Sequence, residues 1–108
     1  MRILGVDIGG SSTKMAEGEG GRILFMAGAP SSIPLDDLFD RDGQCVKCPD
    51  MDLRRVDRIV LTGAGSTSVK GGLRCLPTMS TDEFEANAWG ARFLAGLDSC
   101  VVVSIGTG

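Results

Sequence analysis

The segment Gly5-Val-Asp-Ile-Gly-Gly-Ser-Ser-Thr-Lys14 constrains this chain more than any other. It ends a buried apolar run on one carboxylate and continues into a small, amide-rich turn. Residues 2–7, Arg-Ile-Leu-Gly-Val-Asp, read as a strand apolar enough to be covered on both faces. Gly9 and Gly10 let the backbone turn sharply and keep a Cβ out of the way of an approaching anion. The N–H groups of such a turn, with the hydroxyls of Ser11, Ser12 and Thr13, suit phosphate oxygens. Asp7 stands where a divalent metal bridging those phosphates needs an oxygen ligand.

The residues after the turn exclude two common phosphate loops. A Walker loop reads G-x-x-x-x-G-K-[ST] and a dinucleotide loop G-x-G-x-x-G, each opening a helix. Neither pattern occurs here. The short run Thr13-Lys-Met-Ala-Glu17 enters a strong turn signal at Gly18-Glu-Gly-Gly21, and Arg22-Ile-Leu-Phe-Met26 reads as a further strand. The glycine-serine turn therefore joins two antiparallel strands of a meander, and an ordinary hairpin is its plain alternative. Lys14 either neutralises phosphate charge or points to solvent.

Composition narrows the partners. The 108 residues carry a formal net charge of −3 and no histidine, and the pI is near 4.8. That balance argues against nonspecific nucleic-acid binding. No apolar run of about 18 residues is present, so no membrane span is expected. Asp7 interrupts any signal-like apolar stretch, and a cytoplasmic location is expected. Cys45-Val-Lys-Cys48 has the C-x-x-C spacing of zinc or redox pairs. Zinc needs two more ligands, however, and Cys75 and Cys100 sit alone in predicted strands, where they read as small buried hydrophobes. Free thiols are the expectation.

Strands are predicted near 2–7, 12–17 and 22–27. Leu35-Asp-Asp-Leu-Phe39 starts a crossover helix with Ser32 as a candidate cap, and residues 40–44 read as a loop. A short helical turn near 53–55 precedes a strand at 58–62. Gly63-Ala-Gly65 turns into a weak helix near 66–73, and residues 75–79 form a short edge strand despite Pro77. Ser80 or Thr81 caps a helix to about residue 94, whose first turn holds Asp82, Glu83 and Glu85, where the helix dipole favours acids. Trp89 is expected semi-buried. Cys100-Val-Val-Val-Ser-Ile105 reads as a final strand ending in Gly106-Thr107-Gly108. The order of three strands, helix, strand, helix, strand, helix is ribonuclease-H-like: an α/β lobe with a three-stranded antiparallel meander continued by parallel strands.

Asp-Ile-Gly-Gly at 7–10 and Ser-Ile-Gly-Thr-Gly at 104–108 resemble the first and second phosphate loops of the actin-like sugar-kinase superfamily. Residues 82–91, Asp-Glu-Phe-Glu-Ala-Asn-Ala-Trp-Gly-Ala, taken with the second loop, look like a type II pantothenate kinase. The resemblance implies a first ribonuclease-H-like ATPase lobe at 1–97 and the opening strand and phosphate loop of a truncated second lobe at 98–108. It implies ATP and Mg²⁺ as cofactors. Asp7 would then position the metal, directly or through water. Gly9, Gly10, Ser11, Ser12, Thr13 and Lys14 would cradle phosphates together with Gly106, Thr107 and Gly108.

Glu83 would serve as the base for the hydroxyl of pantothenate or a related alcohol, in the first step toward coenzyme A. Its bland reading is an early-helix acid complementing the dipole. Thr62-Gly-Ala-Gly65 resembles the family's Thr-Gly-Gly segment, here a tight turn shaping the cleft floor. A homodimer is implied for the full-length form, and the 108-residue piece alone is expected to be inactive. The alternatives are an N-acetyl-sugar kinase, an ATPase activator, or a noncatalytic remnant. Against the activator, its second loop usually reads Asp-Ile-Gly-Gly-Gln.

Overall fold

The computed structural model describes residues 1–69, 72–83, 85, 86, 89 and 90. Five strands form a single sheet: β1 (Arg2–Ile8), β2 (Ser12–Glu19), β3 (Arg22–Pro30), β4 (Arg58–Thr62) and β5 (Thr78–Ser80), in the order β3-β2-β1-β4-β5. The first three make the antiparallel meander, and β4 and β5 continue it in parallel with β1. Short glycine-bearing turns allow only antiparallel neighbours between β1, β2 and β3, whereas the longer excursions before β4 and β5 permit parallel return.

Alternation along the strands sorts the side chains into two faces. Leu4, Val6 and Ile8 share one face with Met15, Ile59 and Leu61, and all are buried. Leu35, Leu38, Phe39, Met51, Leu53 and Val56 cover that face. The opposite face carries Gly5, Asp7, Lys14, Ala16, Val60 and Thr62. β1 therefore does not lie in two equally sealed layers. Only its core-side residues are buried among the described residues, while those on the Asp7 face are partly exposed or, at Ile3, exposed.

The crossover helix expected at residue 35 is a single 3-10 turn, Leu35–Leu38, with no side-chain cap from Ser32. One turn is enough to bury Leu35 and Leu38, and the chain then leaves for an irregular loop. Such a loop needs partners for its own backbone groups. Asp40 Oδ1 accepts from the amides of Asp42 and Gln44 at 2.9 and 3.0 Å. Arg74 donates to the carbonyls of Phe39 and Asp40. Asp52 receives the Arg54 guanidinium through both carboxylate oxygens. The short helical turn near Leu53 is present as Leu53–Arg55.

Three further expectations shift. The weak helix near 66–73 is instead a 3-10 turn at Ala64–Ser68. The edge strand begins at Thr78, so Cys75 is not a buried strand residue. It is exposed in a turn at φ +63°, directly after Arg74 at φ +52°. The helix beginning at residue 83 is capped by Asp82, whose Oδ1 accepts from the Glu85 amide at 3.3 Å, rather than by Ser80 or Thr81. No helix among the described residues is long and apolar enough to cross a membrane. The strand expected at 100–105, the domain division at 98, and residues 106–108 lie outside the described residues.

Candidate functional site

Parallel pairing brings the C-terminal ends of β1 and β4 side by side, the edge of an open α/β sheet where ligands gather. Asp7 is in register with Lys14 on one side and Thr62 on the other. Asp7 Oδ1 and Thr62 Oγ1 are both buried and have no hydrogen-bond partner. Each such orphan costs about 1–3 kcal/mol of desolvation. Two at adjacent sheet positions are therefore a marked local debit in stability.

The turn after β4 closes onto the end of β1. Gly63 adopts φ +91°, and a Cβ there would lie 2.5 Å from Asp7 Oδ1 and overlap the Ile8 carbonyl. At Gly65 a Cβ would overlap the Ile8 side chain. Thr62-Gly63-Ala64-Gly65 thus forms the tight turn read from the sequence, and its glycines allow backbone to pack on the acid.

A cleft of about 310 Å³ opens on this face. Asp7, Lys14, Thr62, Thr81 and Ala86 border it, with Gly5 and Ala16 among its small lining residues. Thr81 is fixed there by its amide, which donates to the Leu61 carbonyl at 2.8 Å. A larger apolar hollow of about 500 Å³ lies toward the opposite end of the strands, beside Met1, Ile3, Ile23 and Trp89. It contains none of the predicted site residues. Trp89, expected semi-buried, is 59 % exposed there.

The β1–β2 turn borders the Asp7 end of the sheet. The Gly9 amide donates to the Ser12 carbonyl at 2.9 Å. Ser31, just past β3, donates its amide to Ser11 O at 3.1 Å and its hydroxyl to Gly10 O at 2.9 Å. Neither Gly9 nor Gly10 has a positive φ, and a Cβ at Gly10 would meet nothing within 4 Å. Glycine at position 10 leaves space open rather than permitting an otherwise forbidden turn. Ser12 and Lys14 share the Asp7 face by alternation, whereas Thr13 is 2 % exposed and belongs to the core face with Ile8.

Glu83 is an exposed residue of the C-terminal helix, and that region lines the cleft through Thr81 and Ala86 rather than through Glu83. Asp82 and Glu85 have capping roles, since Glu85 also receives the Thr81 hydroxyl at 3.5 Å. Ser31 carried no sequence signal as part of the site, because Pro30-Ser-Ser reads only as a break.

The donor set fits a single-carboxylate metal site. Mg²⁺ keeps several waters and binds through one or two carboxylates with substrate phosphates, and Asp7 lines the cleft with its buried Oδ1 left without a hydrogen-bond partner. Among the described residues no group of three or more acidic, cysteine or histidine side chains could hold a metal. Cys45 is buried and Cys48 partly buried, both as free thiols.

One acid elsewhere is also out of the ordinary. Glu17, on the core face, is 0 % exposed. Burial pushes its carboxyl above the usual carboxylate range, and Arg2, with Nε 3.4 Å away, only partly offsets this.

The sheet superimposes on component A of the (R)-2-hydroxyglutaryl-CoA dehydratase of Acidaminococcus fermentans. The TM-score is 0.65 at 18% identity, over 87% of this chain and 35% of that one. It also superimposes on the activator of the 2-hydroxyisocaproyl-CoA dehydratase of Clostridium difficile with bound ADPNP. Here the TM-score is 0.57 at 19% identity, over 86% of this chain and 33% of that one. The shared fold is a ribonuclease-H-like α/β lobe built on a five-stranded mixed sheet. The lobe spans about a third of the length of these two structures. No protein-family model matches the sequence, and no curated protein does. At this identity the likeness carries the fold of the lobe and nothing of its substrate.

Proposed function

We propose that this lobe binds the phosphates of ATP at the end of β1 and takes part in ATP hydrolysis or phosphoryl transfer. One observation carries the reading. Asp7 and Thr62 line one cleft, each with a buried oxygen that has no hydrogen-bond partner, with Lys14 in register beside Asp7 and the Gly9–Ser12 turn joining β1 to β2 just beyond them. Unpaired buried oxygens at adjacent positions are costly for folding and favourable for holding a polar ligand or water in fixed geometry.

In this reading Lys14 offers positive charge to the phosphates, and the turn amides orient them. Asp7 would hold Mg²⁺, directly or through water, and Thr62 would offer a hydroxyl beside it. Mg²⁺, when bound, would neutralise developing charge on the phosphate oxygens. Gly106, Thr107 and Gly108, outside the described residues, are proposed as a second phosphate loop on the strength of their sequence alone.

The ATPase-activator reading is ahead of the alcohol-kinase reading. Both superimposed proteins bear dehydratase-component or activator names, and one holds ADPNP. Pantothenate phosphorylation keeps the support of residues 82–91 and 104–108, with Glu83 as the candidate acceptor of the hydroxyl proton. The full-length protein should be assayed for ATP hydrolysis alone, then with pantothenate and with N-acetylglucosamine. Hydrolysis without either alcohol supports the activator reading. Pantothenate-dependent phosphorylation that collapses in Glu83→Ala reinstates the kinase. Failure to bind ADPNP overturns the proposal altogether.

A further inference from the structure

We infer that Ser31 is a positioning residue for the phosphate turn. It pins two successive peptide planes of that turn without itself being part of the phosphate-binding segment. The inference rests on reading Gly9–Ser12 as that segment. Ser31 comes from the far side of the meander, 21 residues from Gly10 in sequence, yet it contacts the turn through both backbone and side chain. Its N–H donates to Ser11 O at 3.1 Å and its Oγ to Gly10 O at 2.9 Å.

Peptide planarity turns these two bonds into control of donors. In a trans peptide the N–H of the next residue lies in the same rigid plane as the carbonyl and points the opposite way. Holding Gly10 O therefore sets the direction of the Ser11 N–H, and holding Ser11 O sets that of the Ser12 N–H. The same bonds occupy two carbonyl oxygens whose lone pairs would repel a phosphate if they swung toward it.

The pin is needed because of what surrounds the turn. Gly10 is exposed, and a Cβ there would touch nothing within 4 Å, so packing does not hold its peptide plane. Glycine also has the widest backbone freedom of any residue. An amide cradle built on such a residue binds well only if something else has already ordered it. β3 supplies that order: Ser12 pairs with Pro30, so the strand register delivers Ser31 to the turn.

The test compares wild type, Ser31→Ala and Ser31→Thr in the full-length protein. ADPNP affinity, amide hydrogen exchange across residues 9–12 without nucleotide, and the unfolding midpoint are measured for each. Ser31→Ala keeps the backbone bond and removes only the hydroxyl. It should weaken ADPNP binding roughly three- to ten-fold, speed exchange at the turn, raise KM for ATP more than it lowers kcat, and move the unfolding midpoint little. Ser31→Thr should restore affinity and exchange protection.

Wild-type affinity and unchanged exchange in Ser31→Ala would overturn the inference. So would a loss of affinity that simply tracks a loss of global stability. If the wild type itself does not bind ADPNP, the phosphate reading falls. Exchange in the nucleotide-free protein then still decides whether Ser31 orders the turn.

Discussion

Asp7 and Gly63 are packed so closely that a β-carbon on Gly63 would sit 2.5 Å from the Asp7 Oδ1. The candidate acid is thus walled on one side by backbone instead of by a side chain able to hydrogen-bond it, and its Oδ1 stays unpaired. The same contact fixes the end of β1 to the turn after β4 and makes folding and the site depend on one glycine.

Gly63→Ala should cost about 3 kcal/mol of stability, from the left-handed φ of +91° combined with overlap on Ile8 O and Asp7 Oδ1. Gly10→Ala is the contrast, with an ordinary φ and open space around its Cβ. It should change stability by less than about 1 kcal/mol. Urea unfolding of both variants checks the pair, and similar losses would refute the distinction.

Asp7→Asn should separate function from stability. Loss of the carboxylate is expected to lower ATP turnover in the full-length protein by roughly a hundredfold or more. Stability should stay within about 1 kcal/mol of wild type, because asparagine has the same shape and keeps a polar atom at the same unpartnered position. Steady-state kinetics and denaturant midpoints on the same preparations test both halves.

Glu17 makes stability depend on pH. Burial raises its carboxyl above 4.5, with Arg2 pulling less strongly in the other direction. The unfolded chain therefore gives up this proton at a lower pH than the native state does. Its contribution is present below about pH 4.5 and is lost as pH rises through the raised native value. Glu17→Gln should accordingly be more stable than wild type at pH 8 and indistinguishable from it near pH 4. Urea midpoints at the two pH values give the answer, and a variant less stable at pH 8 would contradict the sign.

Arg74 staples the irregular loop before Met51 to the turn before β5. It reaches the carbonyls of Phe39 and Asp40 and lies 3.5 Å from Asp36. Arg74→Met keeps much of the side-chain bulk and removes every donor. A loss of about 1–2 kcal/mol is expected, with faster amide exchange concentrated in residues 39–45. Uniformly faster exchange would argue against a local staple.

Much of the lobe was legible in the residues. Strand-like runs near 2–7, 12–17 and 22–27, separated by glycine turns, mark the meander, whereas the first, read as covered on both faces, has buried residues on one face only. Asp7 stood out as the single acid ending an apolar strand. The segment at Leu35 misled because apolar residues at i, i+3 and i+4 fit one 3-10 turn as well as a helix. Cys75 misled because a short apolar run looks the same in a strand and in the turn leading to one.

The linear sequence by itself determined the meander and the glycine-serine turn beside an acid, since these rest on local period and turn chemistry. Only the tertiary structure decided that Thr62 stands next to Asp7, that Gly63 walls in the carboxylate, and that Ser31 reaches back to the phosphate turn. Those relations join residues 55, 56 and 20 or 21 positions apart. They arise from strand register and close packing, which no local pattern encodes.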